Sequence, residues 1–153
     1  MIRAAAVALA FLIAPTFASA QALDGLLKKI KDTKSIAIAY RADALPFSFV
    51  DDAKEPTGYS IDLCRRVVSS IEQQIGVQGV QIKWVPVTLQ TRMDAVAKGQ
   101  ADMECGSTTV TLSRMKQVGF STYTFVDGTG LLIKASSQAR SLSDLADKKI
   151  GVI

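Results

Sequence analysis

Histidine is missing from all 153 residues. That absence excludes Ser-His-Asp and Cys-His nucleophilic sites, the usual general acid or base near neutrality, and every zinc site that needs an imidazole ligand. Cysteine is scarce, and two thiols cannot complete a structural zinc site on their own. Past residue 20 no apolar run approaches the ~20 residues that cross a bilayer. Neither sign of charge is concentrated: 18 Lys and Arg are scattered among 14 Asp and Glu, for a net charge of +4, whereas nucleic-acid binding asks for a clustered basic face. Nucleic acid is therefore not expected as a partner, nor is a metal or cofactor. Internal repeats and low-complexity tracts are absent as well, and the length suits one domain.

What is present begins with a leader. Met1-Ile2-Arg3 gives a positive start, Ala4 to Ala14 an unbroken apolar run, and Ala18-Ser19-Ala20 a small-x-small cleavage pattern. Residues 1–20 therefore read as a secretory signal peptide cut before Gln21, which places the mature chain in an exported, oxidising compartment.

Beyond it, helical and strand periods alternate. Leu23, Leu26, Leu27 and Ile30 form one helical stripe, with Lys28, Lys29 and Lys31 on the opposite face. Ser35 to Tyr40 reads as a strand with Ile36, Ile38 and Tyr40 on one side and small alanines on the other, the pattern of a sheet covered on both faces. Residues 46–50 look extended, and a turn-rich stretch leads to Ser60, a candidate helix cap followed by the inward stripe Ile61, Cys64, Val68 and Ile71. Val80 to Trp84 alternates as a second strand and runs on to Val87 through Pro86, which suits a sheet edge. A helix is expected over 88–98 and short strands over 102–105, 123–126 and 130–134. Helices are expected over 111–117 and from 141 to 146, and a last strand over 149–153. The order of strands and helices predicts an α/β fold with a mostly parallel sheet. The strand that ends the chain would open a new unit with nothing to pair it, so the chain is expected to be a fragment.

Several blocks carry a family resemblance. Arg41 with Leu45-Pro46-Phe47-Ser48-Phe49, Gly58-Tyr59-Ser60-Ile61-Asp62-Leu63-Cys64, Val87-Thr88-Leu89-Gln90-Thr91-Arg92, Asp102-Met103-Glu104-Cys105-Gly106-Ser107-Thr108-Thr109, and Phe120-Ser121 with Phe125-Val126 and Gly128-Thr129 follow one another in order. Together they resemble the periplasmic amino-acid-binding proteins of ABC importers, most of all the glutamate/aspartate-binding branch. The resemblance implies the type II periplasmic-binding architecture, in which two α/β lobes joined by a hinge close around one amino acid and hand it to a permease. Residues 21–132 would be the first lobe, and residues 133–153 the hinge crossing and the start of a truncated second lobe. It further implies a periplasmic monomer whose partners are an amino acid, glutamate or aspartate, and an ABC permease in the inner membrane.

The chemistry of the residues fits such a ligand. A free amino acid is a zwitterion, and arginine is the side chain that grips a carboxylate with two parallel hydrogen bonds. Arg92, at the opening of a helix whose dipole also favours an anion, is the candidate for the α-carboxylate. Gly106-Ser107-Thr108-Thr109 follows a short strand and presents N–H groups and hydroxyls to a ligand. By the resemblance Ser107 and Thr109 contact it, while Gly106 lets the backbone come close. Arg41 lies just past the first strand, where an α/β sheet presents its ligands. A second arginine there would select an acidic side chain. Leu89 stands where the branch often carries a small hydroxyl residue, which removes one expected polar contact.

Two matters stay open. Cys64 and Cys105 are 41 positions apart and are either a disulfide, worth about 4 kcal/mol on the chain-entropy estimate, or two buried thiols. Glu104 beside Cys105 invites an enzymatic reading, such as a small-acid dehydratase on the same fold, and a receptor's sensor module is a further alternative. No histidine exists to activate the thiol, so capture without catalysis is expected, with no catalytic residue. A second lobe supplying about two charge-assisted contacts at ~1.5–3 kcal/mol each would be missed, and the lobe alone would bind roughly 10²–10⁴ more weakly.

Overall fold

The structure, a computed structural model, describes residues 23–128 and 130–151. The expected signal peptide, Thr129 and the last two residues of the expected strand over 149–153 lie outside the described residues. The chain divides into two compact units, Met1–Phe120 and Ser121–Ile153.

In the first unit, α1 (Gly25–Thr33) ends at Lys34, whose left-handed backbone sends its N–H to the Ile30 carbonyl. Ile30 is buried, and Leu23 and Leu27 pack beside it, while Leu26 is largely exposed. The strand β1 (Ser35–Arg41) follows at once. It pairs in parallel with β5 (Gln81–Val87) along its whole length, from Ser35 opposite Gln81 to Arg41 opposite Val87. On its other side it pairs in parallel with β6 (Met103–Cys105), Ala39 lying opposite Glu104. The sheet order is β5-β1-β6, so Pro86, which has no N–H to donate, sits on an edge strand as its chemistry requires.

Between β1 and β5 lies an antiparallel sheet that the periodicity does not predict: β2 (Asp43–Ala44), β3 (Ser48–Val50) and β4 (Pro56–Thr57). The expected extended run over 46–50 forms strand only from Ser48, because the Phe47 N–H turns back to the Ala44 carbonyl. The helix α2 (Tyr59–Ile75) then crosses the sheet and stops at left-handed Gly76. Ser60 is not its cap. Gly58 holds that position at φ +119°, and the carbonyls of Pro46 and Phe47 accept from Tyr59 N–H and Ser60 N–H, which leaves the Ser60 hydroxyl free for another partner. The third helix, α3 (Arg92–Ala97), begins four residues later than expected. The hydroxyls of Thr88 and Thr91 bond to each other and to nearby N–H groups, and they hold 88–91 as a turn.

An apolar cluster fills one face of the parallel sheet. Ile36 and Ile38 from β1 and Cys105 from β6 meet Ile30 of α1 and Ile61, Val68 and Ile75 of α2. The helix α3 packs against β1 and β6, and none of its residues joins that cluster.

Where helix or strand is expected elsewhere, less forms. Residues 111–117 contain a single 3-10 turn, Arg114–Lys116. In the second unit the stretches 123–126 and 130–134 are not strands, nor are residues 149–151, and the helix expected from Ser141 is a four-residue 3-10 turn, Leu142–Leu145. Its start is a capping box, with the Asp144 carboxylate on the Ser141 and Arg140 N–H groups. A strand needs a partner for its N–H and C=O groups, and no ladder forms among the described residues of this unit; Leu131, Leu132 and Ile133 are exposed.

Candidate functional site

Because side chains alternate along a strand, β1 turns Ala37, Ala39 and Arg41 away from the apolar cluster. Glu104, in register with Ala39, shares that side. Alanine leaves room here, and charged groups fill it. Arg92, the first residue of α3, is 5% exposed, and its Nε has no hydrogen-bond partner. Glu104 Oε1 is buried without a partner as well, and so is the Thr108 hydroxyl. Three unmatched buried polar atoms in one neighbourhood are unusual, since such groups are nearly always paired.

Electrostatics ties the group together. Burial raises the Glu104 carboxyl above its ordinary value; the adjacent Thr108 hydroxyl and then Arg92, Arg41 and Arg114 oppose that rise. Thr108 acts on the Glu104 carboxyl, yet neither its hydroxyl nor Glu104 Oε1 has a hydrogen-bond partner. Burial likewise pulls the Arg92 guanidinium down, Glu104 counters it, and Arg114 and Arg41 add to it. Arg41 is also buried, its backbone bridged by the Ser48 hydroxyl, which accepts from Arg41 N–H and donates to its carbonyl. Its side chain forms an ion pair at 2.9 Å with the exposed carboxylate of Asp43. Titratable groups pushed from their usual values inside a charged cluster mark candidate functional sites.

The bend that follows β6 is held from three sides. The Cys64–Cys105 disulfide ties its root to α2, with Cα atoms 6.4 Å apart. The Ser60 hydroxyl donates to the Gly106 carbonyl at 2.7 Å, and Arg114 Nη1 donates to the Thr109 carbonyl at 2.8 Å. A methyl group at Gly106 would overlap Glu104 Oε1, so the Glu104 carboxylate lies directly beside the Gly106 Cα and would have to move to admit a side chain there. The whole arrangement sits at the carboxyl ends of β1 and β6, where open α/β sheets receive ligands.

Residues 36–148 match the sequence profile of the bacterial extracellular solute-binding proteins, family 3. The chain belongs to this family. It is 38% identical over 146 residues to an L-glutamate/L-aspartate-binding protein of Pseudomonas aeruginosa, covering 95% of this chain and 48% of that protein. It is 34% identical over 134 residues to a glutamate/aspartate import solute-binding protein of Escherichia coli, covering 88% and 44%. The chain thus spans about half the length of the curated relatives it matches. Among solved structures, the ancestral amino-acid-binding protein AncCDT-1, a precursor of cyclohexadienyl dehydratase, superposes with a TM-score of 0.56 at 30% identity over 64% of this chain and 40% of the other. A mutant of the arginine-bound form of domain 1 from TmArgBP gives a TM-score of 0.57 at 27% identity, covering 68% and 75%. The fold is accordingly an α/β lobe of the type II periplasmic-binding kind.

Within this family frame, the structure places the residues singled out from sequence as follows. Arg41 and Arg92 act on the same carboxylate, Glu104, and on each other's surroundings. Ser107 and Thr109 are exposed on the bend and Gly106 is half-buried; Leu89 is exposed in the turn before α3. Three members of the cluster escaped sequence reasoning. Asp43 pairs with Arg41, Arg114 braces the bend, and Glu104 was weighed as an acid catalyst rather than as a partner for arginine. The available signal for Glu104 was its place in strand register opposite a small residue, two positions before a glycine.

Proposed function

We propose that the chain is the ligand-gripping part of an extracytoplasmic solute-binding protein that captures an acidic amino acid, glutamate or aspartate, for an ABC transporter. Arg92 takes the α-carboxylate, the 106–109 bend contributes N–H groups and the hydroxyls of Ser107 and Thr109, and Arg41 faces the side-chain carboxylate. The observation that carries this reading is the buried Arg92 with an unused Nε donor, next to a bend rich in hydroxyls. A guanidinium kept from water and left unsatisfied is ready for a charge-assisted bond. The names of the glutamate/aspartate relatives support the choice of ligand. Export through a leader over residues 1–20, a first lobe over 21–132 and a hinge crossing over 133–153 belong to the same proposal, as does the permease partner.

The arginine-bound form of a single domain from TmArgBP supports the idea that one lobe can hold its amino acid. We expect isothermal titration of the chain with L-glutamate to give saturable binding, weaker than micromolar, that Arg92→Met reduces by at least 100-fold. L-arginine should give none. Binding of arginine in preference to glutamate would overturn the ligand assignment, and binding unaffected by Arg92→Met would overturn the site. The ancestral dehydratase among the structural neighbours, together with a buried carboxyl at Glu104, supports a second reading as an acid catalyst. Recovery of the titrated amino acid unchanged after prolonged incubation separates capture from that alternative.

A further inference from the structure

Arg41 and Asp43 stand two positions apart where β1 gives way to β2, and their side chains meet directly. The Arg41 Nε–H donates to Asp43 Oδ1 at 2.9 Å, and Nη2 lies 2.9 Å from the same oxygen. These two nitrogens make up one edge of the planar guanidinium fork, an edge able to take a carboxylate side-on through two parallel hydrogen bonds. Asp43 fills it with one oxygen only.

The two partners differ in their surroundings. The Arg41 side chain is 10% exposed and that of Asp43 is 73% exposed. Arg41 is also fixed from behind: the Ser48 hydroxyl bonds to both its N–H and its carbonyl, and its backbone ends the parallel ladder opposite Val87. The Asp43 backbone is held opposite Phe49 in the antiparallel sheet, while its carboxylate stands in water. The root of Arg41 is therefore set without help from Asp43. The carboxylate in turn gives up little hydration in pairing, and ion pairs with an exposed partner are weak.

We propose that Asp43 is a specificity-determining residue: its carboxylate stands in for that of a ligand side chain, seated on the Nε–Nη2 edge of Arg41 while the site is empty and displaced from it by an acidic ligand. This rests on the reading given above, in which Arg41 faces the ligand's side-chain carboxylate. In the empty site the arrangement keeps a nearly buried cation from standing unmatched, which would be costly. Exchange is favourable because a ligand carboxylate brings two oxygens to an edge that Asp43 meets with one. Its net effect is nevertheless a difference, since the bonds to Asp43 are lost as those to the ligand form, and the displaced carboxylate stays near enough to repel the newcomer. Asp43 thus lowers affinity for glutamate and aspartate, whereas a neutral side chain that does not compete for the edge is nearly unaffected. Specificity is a difference of affinities, and removal of Asp43 should widen it.

The experiment is NMR titration of the full chain, wild type and Asp43→Ala, with L-glutamate and with L-glutamine at matched pH and ionic strength. Expected is a gain of about fivefold in glutamate affinity in Asp43→Ala, the order of what an exposed ion pair supplies, with glutamine affinity nearly constant. In the wild type the Arg41 Nε–H signal, identified by its absence from Arg41→Lys, should move on saturation with glutamate and stay in place with glutamine. A glutamate-to-glutamine affinity ratio that is unchanged or falls in Asp43→Ala overturns the proposal; a fall would mean that Asp43 holds Arg41 for the ligand instead of against it. Should Asp43→Ala not fold, the wild-type signal decides alone, and an Nε–H that ignores bound glutamate refutes the exchange. Failure of the amino-acid reading looks different: neither amino acid gives saturable shifts in either protein, and this proposal falls with it. Glutamate binding that is indifferent to Asp43 leaves that reading standing and removes this one alone.

Discussion

On one face of β1, Ile36, Ile38 and Tyr40 meet the apolar sides of α1 and α2; on the other, Ala37, Ala39 and Arg41 meet Glu104 and Arg92. The strand is the same seven residues seen from two sides. The first side is filled by branched aliphatic side chains and sealed by a disulfide, the arrangement that supplies stability with no demand for partners. The second side uses small residues to leave volume and then fills that volume with charges that are not fully matched. What the difference teaches is a division of labour: one face over-determines the fold, so that the other can carry polar groups that weaken it.

The sharpest way to break the comparison is to weaken the face that holds the fold. Replacing both Cys64 and Cys105 by Ala should lower unfolding free energy by about 4 kcal/mol on the loop-entropy estimate for a 41-residue separation. Guanidinium unfolding of the oxidised wild type against the double variant measures it. A loss below about 1 kcal/mol would mean that the apolar face does not depend on its staple.

The next effect lies on the charged face. Gly106→Ala should cost about 1–3 kcal/mol, the usual range for overpacking, because the new methyl group meets Glu104 Oε1. Gly106 does not have a left-handed backbone, so the cost should nearly vanish when Glu104 is already Ala. A double-mutant cycle reads the coupling directly, and equal costs in both backgrounds would show that the carboxylate is not what excludes a side chain there.

The smallest effect is one of slope. Glu104 is raised in the folded state, so its contribution to stability is fully present below its unfolded value, about 4.3, and is lost as pH rises through the elevated folded value. Denaturation midpoints of wild type and Glu104→Gln followed from pH 4 to 8 should separate progressively in the variant's favour. Parallel curves would mean that this face is electrostatically no different from the surface.

How far the sequence could be read follows from the same contrast. The apolar face is written in periods, so α1, β1, α2, β5 and β6, and the parallel order they imply, are legible from spacing. The β2-β3-β4 sheet is not, since strands of two and three residues are shorter than the alternation that would reveal them. Apolar runs mislead where no partner stands beside them: Leu131-Leu132-Ile133 has the composition of a strand and joins no ladder among the described residues. Ser60 looked like a cap because its residue type suits that task, whereas the carbonyls of Pro46 and Phe47 perform it. On the charged face, Arg41 and Arg92 stood out because arginine is informative by itself. Glu104, Asp43 and Arg114 matter through their neighbours, which only folding assembles.

The bend from Gly106 to Thr109 is fastened by a covalent link at its root, a serine hydroxyl at its first carbonyl and a guanidinium at its last. A segment so tethered has little freedom left to surrender when a small guest arrives, and the entropic toll of recognition falls accordingly. One of those tethers is redox-dependent. If the bend makes the ligand contacts proposed above, thiol reductants should blunt binding while the sheet still stands, because the link at its root is a disulfide.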